Sequence, residues 1–80
     1  MLSAEEVKML ELLYSRRRGV TALFAAKLTG LDLARAKMTL ERLRAMRLVV
    51  KRSKFYARVP GLRYRSALRR LKMAEAGLLA

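Results

Sequence analysis

Cysteine and histidine are both missing from this 80-residue chain, which excludes disulfides and thiolate metal sites and removes the commonest general base and metal ligand. Asparagine, glutamine and tryptophan are absent as well, and Asp plus Glu number only 6. No paired carboxylates, no nucleophile beside a base and no glycine-rich phosphate loop can be assembled from what is left. The inventory therefore argues against an enzyme and implies no metal and no cofactor. Loss of thermolabile amides alongside abundant Arg and Lys fits a hot-environment source. It also narrows any reading of nucleic acid. Asn and Gln are the side chains that read adenine bidentately, so direct readout here falls to Arg or Lys on guanine and to apolar contact with thymine methyls. No apolar run is long enough to span a bilayer, and the N-terminal MLSAEEVKMLE carries acids where a secretory leader carries bases. The expected setting is the cytoplasm, nucleoid-associated, or a host cell's interior for a viral protein, with no membrane partner and no small-molecule ligand.

What is abundant is positive charge. Lys plus Arg number 19, the formal net charge is +13 and the sequence pI is about 11.5. That exceeds what solubility needs and points to a polyanionic partner. The charge is unevenly placed. Residues 1–15 set Glu5, Glu6 and Glu11 against Lys8, whereas residues 32–65 set eleven basic residues against Asp32 and Glu41, a surplus of nine.

The chain opens with Ser3 and Glu6 in the S-x-x-E capping-box spacing and with Leu2 placed to staple onto Val7, so a helix starts at Ser3. Val7, Leu10, Leu13 and Tyr14 form its core stripe, while Met9 and Leu12 fall outside the stripe, on a face that a monomer leaves wet. The basic run Arg16-Arg17-Arg18 suits a helix C-terminus, and Gly19 supplies the stop. Thr21 caps a short helix, Ala22 to Leu28, whose Ala25 and Ala26 face the next helix while Leu23, Phe24 and Leu28 supply bulk.

Ala26 to Leu48 reads as a helix end, a tight turn at Thr29-Gly30-Leu31 and a second helix capped by Asp32. Gly30 takes the positive φ that ends a helix, and Ala26, one turn earlier, lets two helices cross closely. This is helix-turn-helix grammar. The A-x-x-x-G-L-D turn from Ala26 to Asp32, the apolar positions Ala36, Leu40 and Leu43 and the strand start Leu48-Val49 resemble the winged helix-turn-helix DNA-binding superfamily, in the manner of small MarR- or ArsR-like or archaeal or viral-type regulators. The resemblance covers roughly residues 3 to 60. It departs from that pattern at Arg47, where relatives usually carry Gly, so an unusual φ or a different helix exit is expected there.

The resemblance implies a mainly α fold with a small β-hairpin: three helices plus a wing, and here an additional C-terminal helix. Residues 1–61 form the winged helix-turn-helix and 62–80 the amphipathic helix. The runs 48–52 and 55–59 make the hairpin; Ser53-Lys54 lacks the favoured Asn-Gly, so a loop longer than two residues is expected. Pro60-Gly61 breaks the chain. Tyr64, Ala67, Leu71, Ala74 and Leu78, with Leu68, then form a seam ending near Gly77, which either folds back on the first helix or pairs with its twin.

In helix 33–46, Ala36, Leu40, Leu43 and Arg47 gather on one side and Ala34, Met38, Glu41 and Ala45 on the other. A helix in the major groove reads bases with its N-terminal residues, so Ala34, Arg35, Lys37, Met38 and, at the margin, Thr39 are the base-contact candidates. Lys37 and Glu41 are spaced for a surface ion pair. Arg42, Arg44, Lys51, Arg52, Lys54 and Arg58 are backbone candidates, joined through the resemblance by Arg17 and Arg18 beside the turn-helix unit. Residues 51–65 hold six positive charges and no acid, more than protection of an edge strand requires. Phe55 and Tyr56 are packing residues. Met9, Leu12, Tyr64, Leu68, Leu71 and Leu78 are the dimer candidates, and a two-fold dimer would place its reading helices about 34 Å apart. The leading expectation is a double-stranded DNA-binding homodimer acting as a small transcriptional regulator. A structured-RNA or ribosome-associated protein and a winged-helix assembly adaptor are the alternatives.

Overall fold

The computed structural model describes residues 4–77. Seven elements follow in order: α1 (Ala4–Tyr14), β1 (Val20–Thr21), α2 (Ala22–Thr29), α3 (Leu33–Ala45), β2 (Val49–Arg52), β3 (Phe55–Arg58) and α4 (Tyr64–Glu75). The Ser3 cap, the Leu2 staple and Leu78 lie outside the described residues. The strands form one antiparallel sheet in the order β1-β3-β2, with Val20 opposite Tyr56 and Val50 opposite Ala57.

The central turn forms by local chemistry. Thr21 accepts from the Phe24 amide to start α2, and Gly30, at φ 79°, ends it with its N–H on the Ala26 carbonyl. Asp32 then accepts from the Arg35 amide at 2.8 Å to start α3. At the other end of α3, Arg47 occupies the left-handed region at φ 61°. Its N–H reaches the Arg44 carbonyl and the Leu48 N–H reaches the Leu43 carbonyl at 3.0 Å, a Schellman closure with a non-glycine residue in the glycine seat. Leu43 and Leu48, the apolar pair that accompanies such a closure, are both fully buried. The helix exit that the family pattern assigns to Gly is thus kept by Arg47 at the cost of a strained φ. The same geometry leaves its side chain exposed, away from the core side of α3 where periodicity put it.

One core joins every helix and the sheet. Leu10, Leu13 and Tyr14 of α1, Ala25 and Ala26 of α2, Ala36, Leu40 and Leu43 of α3, Tyr56 of β3 and Ala67 and Leu71 of α4 belong to it. Truncating a fully buried leucine such as Leu40 to alanine costs about 2–5 kcal/mol at sites of this kind. Tyr14 ties the layers together: its hydroxyl donates to the Leu48 carbonyl at 2.7 Å and accepts from the Val59 amide at 3.4 Å.

Several expectations are corrected by this packing. Met9 is fully buried, because α1 is covered on more than one side, by α2 and α3 and also by α4. Leu71 is buried in the same core, and Leu12, Tyr64 and Leu68 pack partly against it, so the C-terminal seam is spent on α1 within one chain. In α2 the small residues Ala25, Ala26 and Thr29 face inward, and Leu23 (54% exposed), Phe24 (39%) and Leu28 (47%) point outward, the reverse of their expected role. Gly19 is not a helix stop, since α1 ends at Tyr14. A Cβ at Gly19 would lie 3.0 Å from the Tyr56 carbonyl, so glycine is needed there for close approach to β3. The hairpin loop is two residues long after all, with Arg52 opposite Phe55 and Ser53 at φ 57°.

Candidate nucleic-acid interface

The exposed face of α3 carries Ala34, Lys37, Met38 and Ala45, with Met38 65% exposed. Their exposure follows from the helical period that buries Ala36, Leu40 and Leu43 on the opposite side. Thr39 is a correction: it is 7% exposed, and its hydroxyl donates to the Arg35 carbonyl one turn back, which turns it away from solvent.

The arginines of α3 are held by acids. Arg35 donates from Nε and Nη2 to the two carboxylate oxygens of Glu5, both at 2.9 Å, a bidentate pair across 30 residues of sequence. That bond holds the Glu5 carboxyl below its ordinary pKa and raises that of Arg35. Arg42 Nη2 lies 3.5 Å from Glu6 Oε2 and 3.5 Å from Glu75 Oε1, so one guanidinium joins α1, α3 and α4. Glu6 is 2% exposed and both of its carboxylate oxygens lack a hydrogen-bond partner. Burial first, then the Glu75 carboxyl beside it, raises its pKa. Arg44 pairs with Glu41 at 3.1 Å.

Glu41 does not pair with Lys37. It accepts from the Tyr56 hydroxyl and from Arg44, and Lys51 Nζ lies 3.8 Å away. The Tyr56 bond is the main cause of the lowered Glu41 pKa. Burial, aided by that carboxylate, pushes the Tyr56 hydroxyl up to about 12. Strand alternation places Lys51 here, although it was expected among the backbone contacts. Val49 and Lys51 share the inner face with Tyr56, and the Lys51 ammonium lies 5.2 Å from that ring's centroid.

The outer face of the wing is different. Val50 and Ala57 form its floor, Arg52 sits opposite Phe55, and Arg17 stands on the rim of an open cleft of about 660 Å³; Arg58, opposite Val49, alternates to the inner side and borders the cleft from the end of β3. Phe55 is 43% exposed and, unlike Tyr56, is no packing residue. Lys54 stands 5.8 Å from its ring centroid. Among the described residues, Arg17, Arg18, Arg52, Lys54 and Arg58 are in no salt bridge, and neither is Lys37 of α3. No group of three or more Asp or Glu side chains among those residues could hold a metal ion, and none of their helices is long and apolar enough to cross a membrane.

The chain superposes as a whole on solved structures. A MarR-family transcriptional regulator from Rhodococcus sp. RHA1 superposes with a TM-score of 0.69 at 24% identity, over 95% of this chain and 59% of that one. The fold is a winged helix. RV1404 from Mycobacterium tuberculosis superposes with a TM-score of 0.67 at 16% identity, over 95% of this chain and 54% of that one. This winged-helix chain therefore spans little more than half the length of either neighbour. Its sequence matches no protein-family model and no curated protein.

Sequence reasoning missed the acids that hold the α3 arginines. Glu5, Glu6 and Glu75 are remote from α3 in sequence, and only the packing of α1 and α4 against it brings them there. It also missed β1, whose two residues give no alternation to detect.

Proposed function

We propose that the chain is a double-stranded DNA-binding module of a transcriptional regulator, with α3 in the major groove and the wing on the backbone or minor groove. The observation that carries this reading is the joining, on a winged-helix frame, of an exposed α3 face (Ala34, Lys37, Met38) to a wing whose Arg52, Lys54 and Arg58 meet no acid among the described residues. Lys37, with Arg35 and its free Nη1, addresses guanine O6 and N7, and Ala34 and Met38 meet thymine methyls. Arg42 and Arg44 lie further along α3, where phosphates pass, and Arg17 and Arg18 reach the backbone from the loop before β1. The regulatory role agrees with the MarR-family neighbour.

Anisotropy titrations against duplex DNA, single strands and structured RNA over a salt series test the reading. Duplex binding should be tightest and should weaken steeply with salt, with a slope of about −0.9 per phosphate neutralised. Equal or tighter binding to structured RNA would reject it. The adaptor alternative keeps one observation in its favour, the outward-facing Leu23, Phe24 and Leu28 of α2. If that face docks a protein, Leu23→Glu abolishes the protein contact and leaves duplex affinity intact.

A further inference from the structure

α4 presents two unlike faces. Ala67 and Leu71 are buried and Tyr64 and Leu68 pack partly against the core, which fixes the opposite side outward. On that outward side Arg65, Arg69 and Lys72 recur at the i, i+4, i+7 spacing of one helical stripe, Arg63 and Arg70 fall on the helix's other flank, and all five are exposed. Glu75 is the helix's single acid, and it is taken up by Arg42. None of the five basic residues is in a salt bridge among the described residues.

This arrangement breaks local rules of helix stability in three places. Like charges sit at i,i+4 (Arg65, Arg69) and at i,i+3 (Arg69, Lys72), which is repulsive. The first turn holds Arg65 and no acid, although the helix dipole favours negative charge there, as α1 provides with Glu5 and Glu6. The N-cap is Arg63, which makes no side-chain capping bond. Local conflicts retained together mark places where a partner, not the fold, decides the residues. A two-fold contact between copies through this stripe would set arginine against arginine.

We propose that the outward face of α4, with Arg65, Arg69 and Lys72 at its centre, is a second phosphate-binding surface that takes a separate segment of duplex DNA, so that one chain joins two segments. α4 is attached to the body through α1 and, at Glu75, through Arg42 of α3, while Arg65, Arg69 and Lys72 stay exposed and unpaired among the described residues, which leaves the stripe open to a second duplex. The inference rests on the DNA-binding reading above.

The test uses the full chain, a biotinylated short duplex on beads and a fluorescent second duplex. Wild type should recruit the second duplex. R65E/R69E/K72E should still bind the first and recruit the second at least about tenfold less, with a salt slope for bridging lowered by about 2 to 3. All three positions are exposed and R65E suits the helix N-terminus, while K72E opposes the dipole at the other end, so circular dichroism must show the fold retained; R65A/R69A/K72A, which places no acid in the last turn, serves as the second variant and should lose bridging in the same direction. Bridging that survives in both variants, or wild type that binds one duplex and recruits no second, overturns this inference alone. Absence of all duplex binding overturns it together with the DNA-binding reading. Loss, in the variants, of binding to phosphatidylserine vesicles with bridging unchanged would assign the stripe to a membrane and also overturn it.

Discussion

On α3, Arg35, Arg42 and Arg44 each lie within 3.5 Å of a glutamate, whereas on the wing Arg52, Lys54 and Arg58 meet no acid among the described residues. The contrast separates two jobs that basic residues do. A guanidinium already bonded to a carboxylate must give up that bond, or share it, before it gains from a phosphate, so it contributes direction more than affinity. An unneutralised one attracts polyanion at once and releases counterions on contact. Exposed pairs such as Arg35 with Glu5 add little to stability in any case. Their effect is to fix where the guanidinium points.

The largest expected effect comes from removing the unneutralised side of the contrast. Arg52→Glu with Lys54→Glu and Arg58→Glu should weaken duplex binding at least about a hundredfold at low salt and lower the salt slope by about 3. Anisotropy over a salt series measures both. If reversal on the wing costs no more than Arg35→Ala, the division of labour is wrong.

Next in size is the α3 side. Arg35→Ala should reduce the preference for a selected site over random duplex by about 1–3 kcal/mol while changing random-site affinity little. Glu5→Gln should raise random-site affinity severalfold by releasing Arg35, about one charge's worth of salt slope. Competition binding with selected and random duplexes reads out both, and a uniform loss in Arg35→Ala would remove any reading role.

The junction between the two regions is the Tyr56 to Glu41 bond. Tyr56→Phe should cost about 1–1.5 kcal/mol in denaturant unfolding. The sign with pH is set by the shifts. Tyr56, raised to about 12, supplies stability below its ordinary pKa of 10 that is lost as pH rises through 12. Glu41, lowered, supplies stability above its ordinary carboxylate value that is lost as pH falls through its folded value. An ultraviolet titration showing all three tyrosines ionising together near 10 would contradict this.

Glu6 behaves in the opposite sense to Glu41. A carboxyl raised by folding favours the fold in acid, and that contribution is lost as pH rises through its folded pKa. Glu6→Gln should therefore match wild type in stability in acid and exceed it by about 1 kcal/mol once Glu6 is ionised, as read from denaturant unfolding across pH with Glu5, Arg42 and Glu75 unchanged around it. The smallest effect is expected at the α3 exit, where Arg47→Gly relieves the positive φ and should stabilise by about 0.5–1 kcal/mol.

How much of this could be read from the chain follows the range of each interaction. Thr21, Gly30 and Asp32 act on amides or carbonyls within four residues, so the turn and both helices around it were legible, as was the odd backbone at Arg47. The core side of α3 was legible because Ala36, Leu40 and Leu43 repeat at the helical period. Met9 was not, because a stripe drawn for one packing partner misses a helix that is covered on several sides. Nor was the state of the α3 arginines. Arg35 and Glu5 stand 30 positions apart, and no local pattern marks them as partners. α3 consequently looked more uniformly basic in the sequence than it is in the folded chain.

Whether α3 and the wing form one duplex-binding surface can be read from amide chemical-shift mapping with one equivalent of a short duplex. Shifts should concentrate at residues 34–38, at 52–58 and around Arg17 and Arg18, with α2 quiet at Leu23 and Leu28. Shifts concentrated on α2 with residues 34–38 and 52–58 unmoved would contradict it.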